Sequence, residues 1–136
     1  MKAIRRNLRI SSKKVNLVAS LVRGKNVEEA MDFLAFTPKK SAKPLLEVIR
    51  SAVANAEQNF KQNKKDLYLS KIVVNEGSTL KRHRPVSRGR SHPILKRTAH
   101  ITVEVAVRTE PEKENKKRVV KKQEVKESKK QENKKS

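Results

Sequence analysis

Between Gly77 and Val103 the chain carries Lys81, Arg82, Arg84, Arg88, Arg90, Lys96 and Arg97 without one Asp or Glu. No other feature constrains the possible folds as tightly. The protein's three histidines, His83, His92 and His100, sit in the same stretch, which Gly77, Pro85, Gly89 and Pro93 punctuate. Apolar residues are too few between Thr79 and His92 for this part to bury itself. It is flanked by two β-like runs, Leu67–Asn75 and His100–Val107. Two strands joined by such a segment predict a hairpin whose arms continue past the body. Gly89 is the natural tip, because glycine accepts positive φ. Arms of about ten residues at ~3.3 Å each would project roughly 30 Å. A two-stranded ribbon of that kind is marginal alone in water, and its cations repel one another. A polyanion is therefore expected to surround it and complete its structure.

The rest of the chain is basic as well. Of 136 residues, 35 are Lys or Arg and 14 are Asp or Glu, a net charge of +21. Residues 1–109 hold 24 cations against 8 acids, and residues 110–136 hold 11 against 6. Most of the excess thus belongs to the folded part. Self-repulsion of that size favours a partner of opposite sign, with nucleic acid ahead of an anionic membrane. No apolar run approaches the ~20 residues needed to span a bilayer. There is no cysteine, so disulfides and thiolate metal sites are excluded. The basic, acid-free stretch Met1–Lys14 has the composition of a transit peptide. Its Leu8–Ser12 segment nevertheless runs directly into a helix that the body needs, so it is read as part of the body.

Taken in order, Ala3–Ile10 is expected as a short strand, with Ile4, Leu8 and Ile10 of one parity facing a core. Ser11 or Ser12 can cap the next helix, in which Val15, Val18 and Val22 share a face with Leu17 and Leu21 beside it. Gly24 suits the residue just past its end. Asn26 and Glu29 open a second helix, with Val27, Ala30, Met31 and Leu34 as its stripe and Thr37-Pro38 as its stop. A third and longest helix carries Leu45, Ile49, Ala52, Val53, Ala56 and Phe60 at helical spacing. Its start is open between Thr37 and Ser41, because Pro44 would break a hydrogen bond inside a helix begun at Thr37. Asn63–Asp66 reads as a polar turn. The strand Leu67–Asn75 places Ile72 and Val74 on one face. In the last strand Ile101, Val103, Val105 and Val107 alternate with His100, Thr102, Glu104 and Ala106, the cleanest period-two pattern in the chain. The expected fold class is α+β: three helices on a small three-stranded antiparallel sheet, with a protruding hairpin. Residues 1–109 form the domain, and 110–136 read as a disordered, basic Lys/Glu-rich tail.

Enzymatic chemistry finds little support. His83 and His92 are candidates to face one another across the ribbon. No carboxylate lies between Glu76 and Glu104 to complete a metal site, so no metal and no cofactor are expected. Ser87, Ser91 and Thr98 lack an activating base, and no phosphate-cradling glycine motif occurs. The chain is not read as an enzyme. Phe33, Phe36, Phe60 and Tyr68 are the only aromatics, and the three phenylalanines fit the core, which argues against a base-stacking platform. Phosphate and shape recognition of folded RNA, or groove binding to DNA, remains. Arg5, Arg6 and Arg9, Lys13 and Lys14, and Lys39, Lys40 and Lys43 extend the basic surface to the body.

Three segments carry a resemblance to a known family. The first is Leu8-Arg9-Ile10-Ser11 with Lys14-Val15 and Leu21-Val22-Arg23-Gly24-Lys25. The second is Ser51-Ala52-Val53-Ala54-Asn55-Ala56-Glu57 with Asn59. The third comprises Glu76-Gly77, Lys81-Arg82, Arg84-Pro85, Gly89-Arg90, Ile94-Leu95-Lys96-Arg97-Thr98 and His100-Ile101-Thr102-Val103. Over roughly residues 3–108 the chain resembles the bacterial-type large-subunit ribosomal protein twenty-two family. Ser12 stands where the family often has proline, and Val86 where it usually has a basic residue.

The resemblance implies a structural constituent of the large ribosomal subunit, monomeric within the ribosome, cytoplasmic or in a bacterial-type organellar ribosome. It implies binding to large-subunit ribosomal RNA, help in early subunit assembly, and an extended hairpin, about 78–99, lining the nascent-polypeptide exit tunnel. Implied partners are that RNA, neighbouring large-subunit proteins and the nascent polypeptide, with no membrane. The candidate RNA contacts are Arg5, Arg6, Arg9, Lys13, Lys14, Arg23, Lys25, Lys81, Arg82, His83, Arg84, Arg88, Arg90, His92, Lys96, Arg97 and His100. Arg84, Pro85, Val86, Ser87, Arg88, Gly89 and Arg90 form the tip that would reach the tunnel. On the residues alone, an architectural DNA-binding protein with basic arms, working as a dimer around bent DNA, stays open beside this reading.

Overall fold

A computed structural model of the chain describes residues 1–108; the expected tail, 110–136, lies outside the described residues. The elements run β1 (Lys2–Leu8), α1 (Ser12–Val22), α2 (Val27–Phe36), α3 (Ala42–Phe60), a single 3-10 turn (Lys64–Asp66), β2 (Leu67–Glu76), β3 (Leu80–Pro85), β4 (Ser91–Lys96) and β5 (Ala99–Val107). β5 is the central strand of an antiparallel sheet ordered β1-β5-β2, and β3 and β4 form a separate two-stranded ladder. The α+β architecture expected from the sequence is present.

The core forms where the period-two pattern of β5 meets the period-3.6 stripes of the helices. Ile101, Val103 and Val105 are fully or almost fully buried, and α3 lies over β5 and β1 with Leu45, Ile49, Ala52 and Ala56 inward. α1 packs on β2 through Val15, Val18 and Val22, and α2 packs on α3 through Val27, Ala30 and Leu34. Each of the Val, Leu and Ile side chains removed from water contributes about 1.5–3 kcal/mol, and each alanine less. The short α1–α2 linker covers the outer edge of β2. The Gly24 N–H donates to the Leu69 carbonyl at 3.1 Å, and the Leu69 N–H donates to the Lys25 carbonyl at 3.0 Å. At Leu69 that edge is thereby closed to pairing with another chain.

Local chemistry settles the helix starts. Ser41, not Thr37, precedes α3, and Pro44 is then its third residue. There its missing N–H costs nothing, because the first four N–H groups of a helix have no partner inside it. The Ser41 hydroxyl donates to the Lys14 carbonyl at 3.3 Å and ties this start to the first turn of α1. Neither expected serine caps α1 through its side chain. Ser12 Oγ instead donates to Glu76 Oε1 at 3.0 Å, bracing α1 against the end of β2. Asn26 meets Glu29 side chain to side chain at 3.0 Å, without a bond to a helix N–H.

Several sequence expectations are corrected. β1 ends at Leu8 rather than Ile10, and Ile4 is half exposed while Ala3 is buried. The register against β5 shifts between Arg5 and Leu8, and Asn7 takes φ 56°. The bulge changes parity, so Ala3 and Leu8 share the inner face and Ile4 turns outward. The three phenylalanines do not fill the core: Phe33, Phe36 and Phe60 are 40%, 88% and 57% exposed. At ~100° per residue Phe33 and Phe36 fall well off the Val27/Ala30/Leu34 stripe of α2. Phe60 lies on the stripe of α3 by spacing, but one turn beyond Ala56, the last buried residue of that helix.

The joint between body and ribbon is close-packed. β2 and β5 stay paired to Glu76↔Ala99, and the Gly77 N–H donates to the Thr98 carbonyl at 3.0 Å. Thr98 is buried and its hydroxyl donates to the Ser78 carbonyl at 2.7 Å. A Cβ on Gly77 would overlap Thr98 Oγ1 and approach the His100 ring to 3.2 Å. The glycine is required here by space. Gly77→Ala is expected to destabilise the domain by about 1–3 kcal/mol, because Thr98 must turn away and leave a buried polar pair unmade. Thermal denaturation checks this. Adding Thr98→Ala should make the double variant less unstable than the two losses summed, and simple additivity would refute the steric account.

Candidate nucleic-acid interface

The ribbon is a ladder of six residue pairs, from Leu80↔Lys96 to Pro85↔Ser91. Every residue from Lys81 to Arg97 is exposed, so no part of this segment is sheltered by the body. The tip is closed by the Val86 N–H donating to the Arg90 carbonyl at 2.8 Å. Arg88 and Gly89 make the reversal with φ 59° and 68°, which places Gly89 at the turn as expected. Pro85 and Pro93 fit because each strand of an isolated ribbon has one side with no ladder to interrupt.

Residues directly opposite in an antiparallel pair project to the same face, and faces alternate along each strand. The register therefore sorts the cations. One face carries Arg82, Arg84, His92 and Lys96, with Leu80 and Ile94 between them. The other carries Lys81 and His83 with Pro85, Pro93, Leu95 and Ser91. The ribbon has a strongly cationic side and a milder one, which its mixed linear sequence conceals. His83 lies opposite Pro93 and His92 opposite Arg84, so the two histidines do not face each other, contrary to the sequence expectation. Among the described residues no cluster of three or more His, Asp or Glu has a metal-holding arrangement.

On the body, the candidates divide by what already holds them. Arg5 forms an ion pair with Glu47 of α3. Arg23 Nε donates to the Ile72 carbonyl at 3.1 Å, and its Nη2 donates to Asn16 Oδ1 at 2.6 Å, so its fork binds α1 to β2. Lys25 sits 4.5 Å over the Phe33 ring. His100 Nδ1 accepts the Asn7 N–H at 3.0 Å and supports the β1 bulge. These four have structural roles. Arg6, Arg9, Lys13 and Lys14 are exposed, with no intramolecular side-chain hydrogen bond or ion pair among the described residues.

A groove missing from the sequence reading lies at the foot of the ribbon. Its volume is about 1130 Å³, and it opens between β4, α1 and the α2–α3 loop. Arg9, Lys14, Lys39, Lys40, Lys96 and Arg97 rim it, Ile10, Leu17, Leu21 and Leu95 line its apolar part, and no Asp or Glu borders it. Leu17 is 70% exposed. One signal for the groove was present: at ~100° per residue Leu17 and Leu21 fall roughly 120–160° from Val15. Two leucines one turn apart on the outer face of a helix are apolar surface that the core does not use.

The chain matches the family model for ribosomal protein L22p/L17e over residues 3–106. It is 52% identical over 109 residues to a protein of Pediococcus pentosaceus named large ribosomal subunit protein uL22, covering 79% of this chain and 92% of that one. It is 51% identical over 107 residues to the protein of the same name from Ligilactobacillus salivarius, covering 79% and 93%. The match takes in the sheet, all three helices and the whole cationic ribbon, and on this basis the chain belongs to the ribosomal protein L22p/L17e family, whose members are structural rather than catalytic.

Proposed function

We propose that this protein binds large-subunit ribosomal RNA as a structural constituent of the large ribosomal subunit. The ribbon inserts among RNA phosphates and the body rests on the RNA surface. The observation that carries this reading is the ribbon itself, an acid-free cationic ladder exposed from Lys81 to Arg97 and marginal without a partner. Arginine forks on one face can each take a phosphate bidentately. Family membership favours RNA over the arm-bearing DNA reading. No helix among the described residues is long and apolar enough to cross a membrane.

The finer parts of the proposal rest on the family resemblance and on shape. The cationic face turns toward RNA during early subunit assembly, and the tip, Arg84–Arg90, reaches the exit tunnel, where it meets the nascent chain. Residues 1–109 make up the binding domain, and neighbouring large-subunit proteins adjoin it.

Replacing Arg82, Arg84, Arg88 and Arg90 together by glutamine is expected to weaken RNA binding and flatten its salt dependence. Loss of four phosphate contacts lowers the slope of log affinity against log salt by about three units. A variant whose slope equals the parent's would refute the phosphate contacts. A photoreactive residue at Val86 is expected to crosslink a stalled nascent chain in assembled ribosomes, whereas one at Phe36 on the body should not. Equal yields at both positions would remove the tunnel assignment. Ending the chain after Arg108 is expected to preserve the cooperative thermal transition, and its loss would show that the domain needs residues beyond that point.

A further inference from the structure

We propose that the groove at the foot of the ribbon is a seat for an unpaired RNA segment, with at least one base turned inward against Leu17 and Leu21. This deepens the RNA-binding reading and rests on it. Duplex RNA presents its backbone and a shallow groove edge, and cations alone suffice to hold it. Cations alone explain the ribbon face bearing Arg82 and Arg84. They do not explain the groove, where exposed leucines of α1 and Leu95 of β4 form an apolar floor inside a cationic rim. An occupant must offer negative charge and flat apolar surface within one short segment. A single strand with splayed bases does so, and a closed duplex does not.

Five further observations fix this choice of occupant. The rim has no carboxylate, so it is complementary to a polyanion. Lys96 and Arg97 belong both to the ribbon's base and to the rim, so the groove continues the surface proposed to meet RNA. Residues 110–136 carry 11 cations against 6 acids, which makes this chain's own terminus a poor competitor for the place. At about 1130 Å³ the groove also exceeds the ~300–1,000 Å³ usual for small-molecule sites. Arg9 and Arg97 add guanidinium planes on which a base can stack where no aromatic is available.

The test uses the full chain, a short oligouridylate and a duplex RNA of matched length. The parent is expected to bind both. Leu17→Gln with Leu21→Gln changes no charge and touches side chains that are 70% and 49% exposed, so the fold should hold, as an unchanged thermal transition would verify. This variant is expected to lose about tenfold in affinity for the single strand, within the range for one base contact, while duplex affinity and both salt slopes stay the same. Single-strand affinity equal to the parent's overturns the seat and leaves the phosphate reading standing. Failure of the parent to bind either RNA removes the phosphate reading and the seat together. Crosslinking the parent with a 4-thiouridine oligonucleotide provides a readout independent of the variant. Adducts on the α1 peptide support the seat, and adducts confined to the ribbon tip or the exposed phenylalanines overturn it.

Discussion

The antiparallel ladder between β2 and β5 does two jobs, and the rest of the molecule depends on it. Inside the body its side chains build the core, with Ile72, Ile101, Val103 and Val105 beneath the helices. Beyond Glu76↔Ala99 the same two chain directions continue through Gly77 and Thr98 into the ribbon. An exposed two-stranded ribbon cannot fix its own direction, because nothing packs against it. Its direction is inherited from strands that are fixed by burial. The close approach of Gly77 to Thr98 and His100 transmits that direction from the body into the ribbon.

This coupling explains how the excess charge is arranged. Cations on the body are partly absorbed into the fold: Arg5 by Glu47, Arg23 by the Ile72 carbonyl and Asn16, and Lys25 by the face of Phe33. The acids available for such pairing lie outside the ribbon, and Glu76 at the joint accepts the Ser12 hydroxyl. On the ribbon the only side-chain hydrogen bond from a cation among the described residues is a local one, from Arg82 to the Lys81 carbonyl at 2.8 Å. The unpaired charge is thus concentrated where the backbone is least supported. That distribution opposes folding of the free chain and favours the bound one, as expected for a segment whose structure is completed by a partner.

The parts of the fold legible in the sequence were those where one physical signal acted alone. The alternation of β5, the stripes of α1 and α3, and the glycine at the ribbon tip each reflect a single periodicity or a single backbone requirement. Reading failed where two signals competed. Ile4 follows strand parity until a bulge at Asn7 breaks it, and asparagine, though the side chain after glycine most tolerant of positive φ, signals a bulge less strongly than glycine. Hydrophobicity alone places the phenylalanines inside, whereas helical spacing sets Phe33 and Phe36 outside. For the site, the run of cations was plain from composition. Its division into two faces was not, since that depends on the exact pairing of β3 with β4.

The groove shows the limit of reading in one dimension most clearly. Its rim joins Arg9, Lys14, Lys39, Lys40, Lys96 and Arg97, which are separated by up to most of the domain's length. They meet because β5 returns the ribbon's base to the same edge at which α1 begins. The Ser41 hydroxyl then draws the start of α3 against Lys14. Each basic residue, taken singly, is a solvated surface charge. Brought together around Leu17 and Leu21, they border apolar surface with no acidic counterpart, a combination costly to leave in water and suited to a ligand that is both anionic and aromatic. Topology, rather than any local motif, turns scattered lysines and two misplaced leucines into a surface with a definite chemical preference.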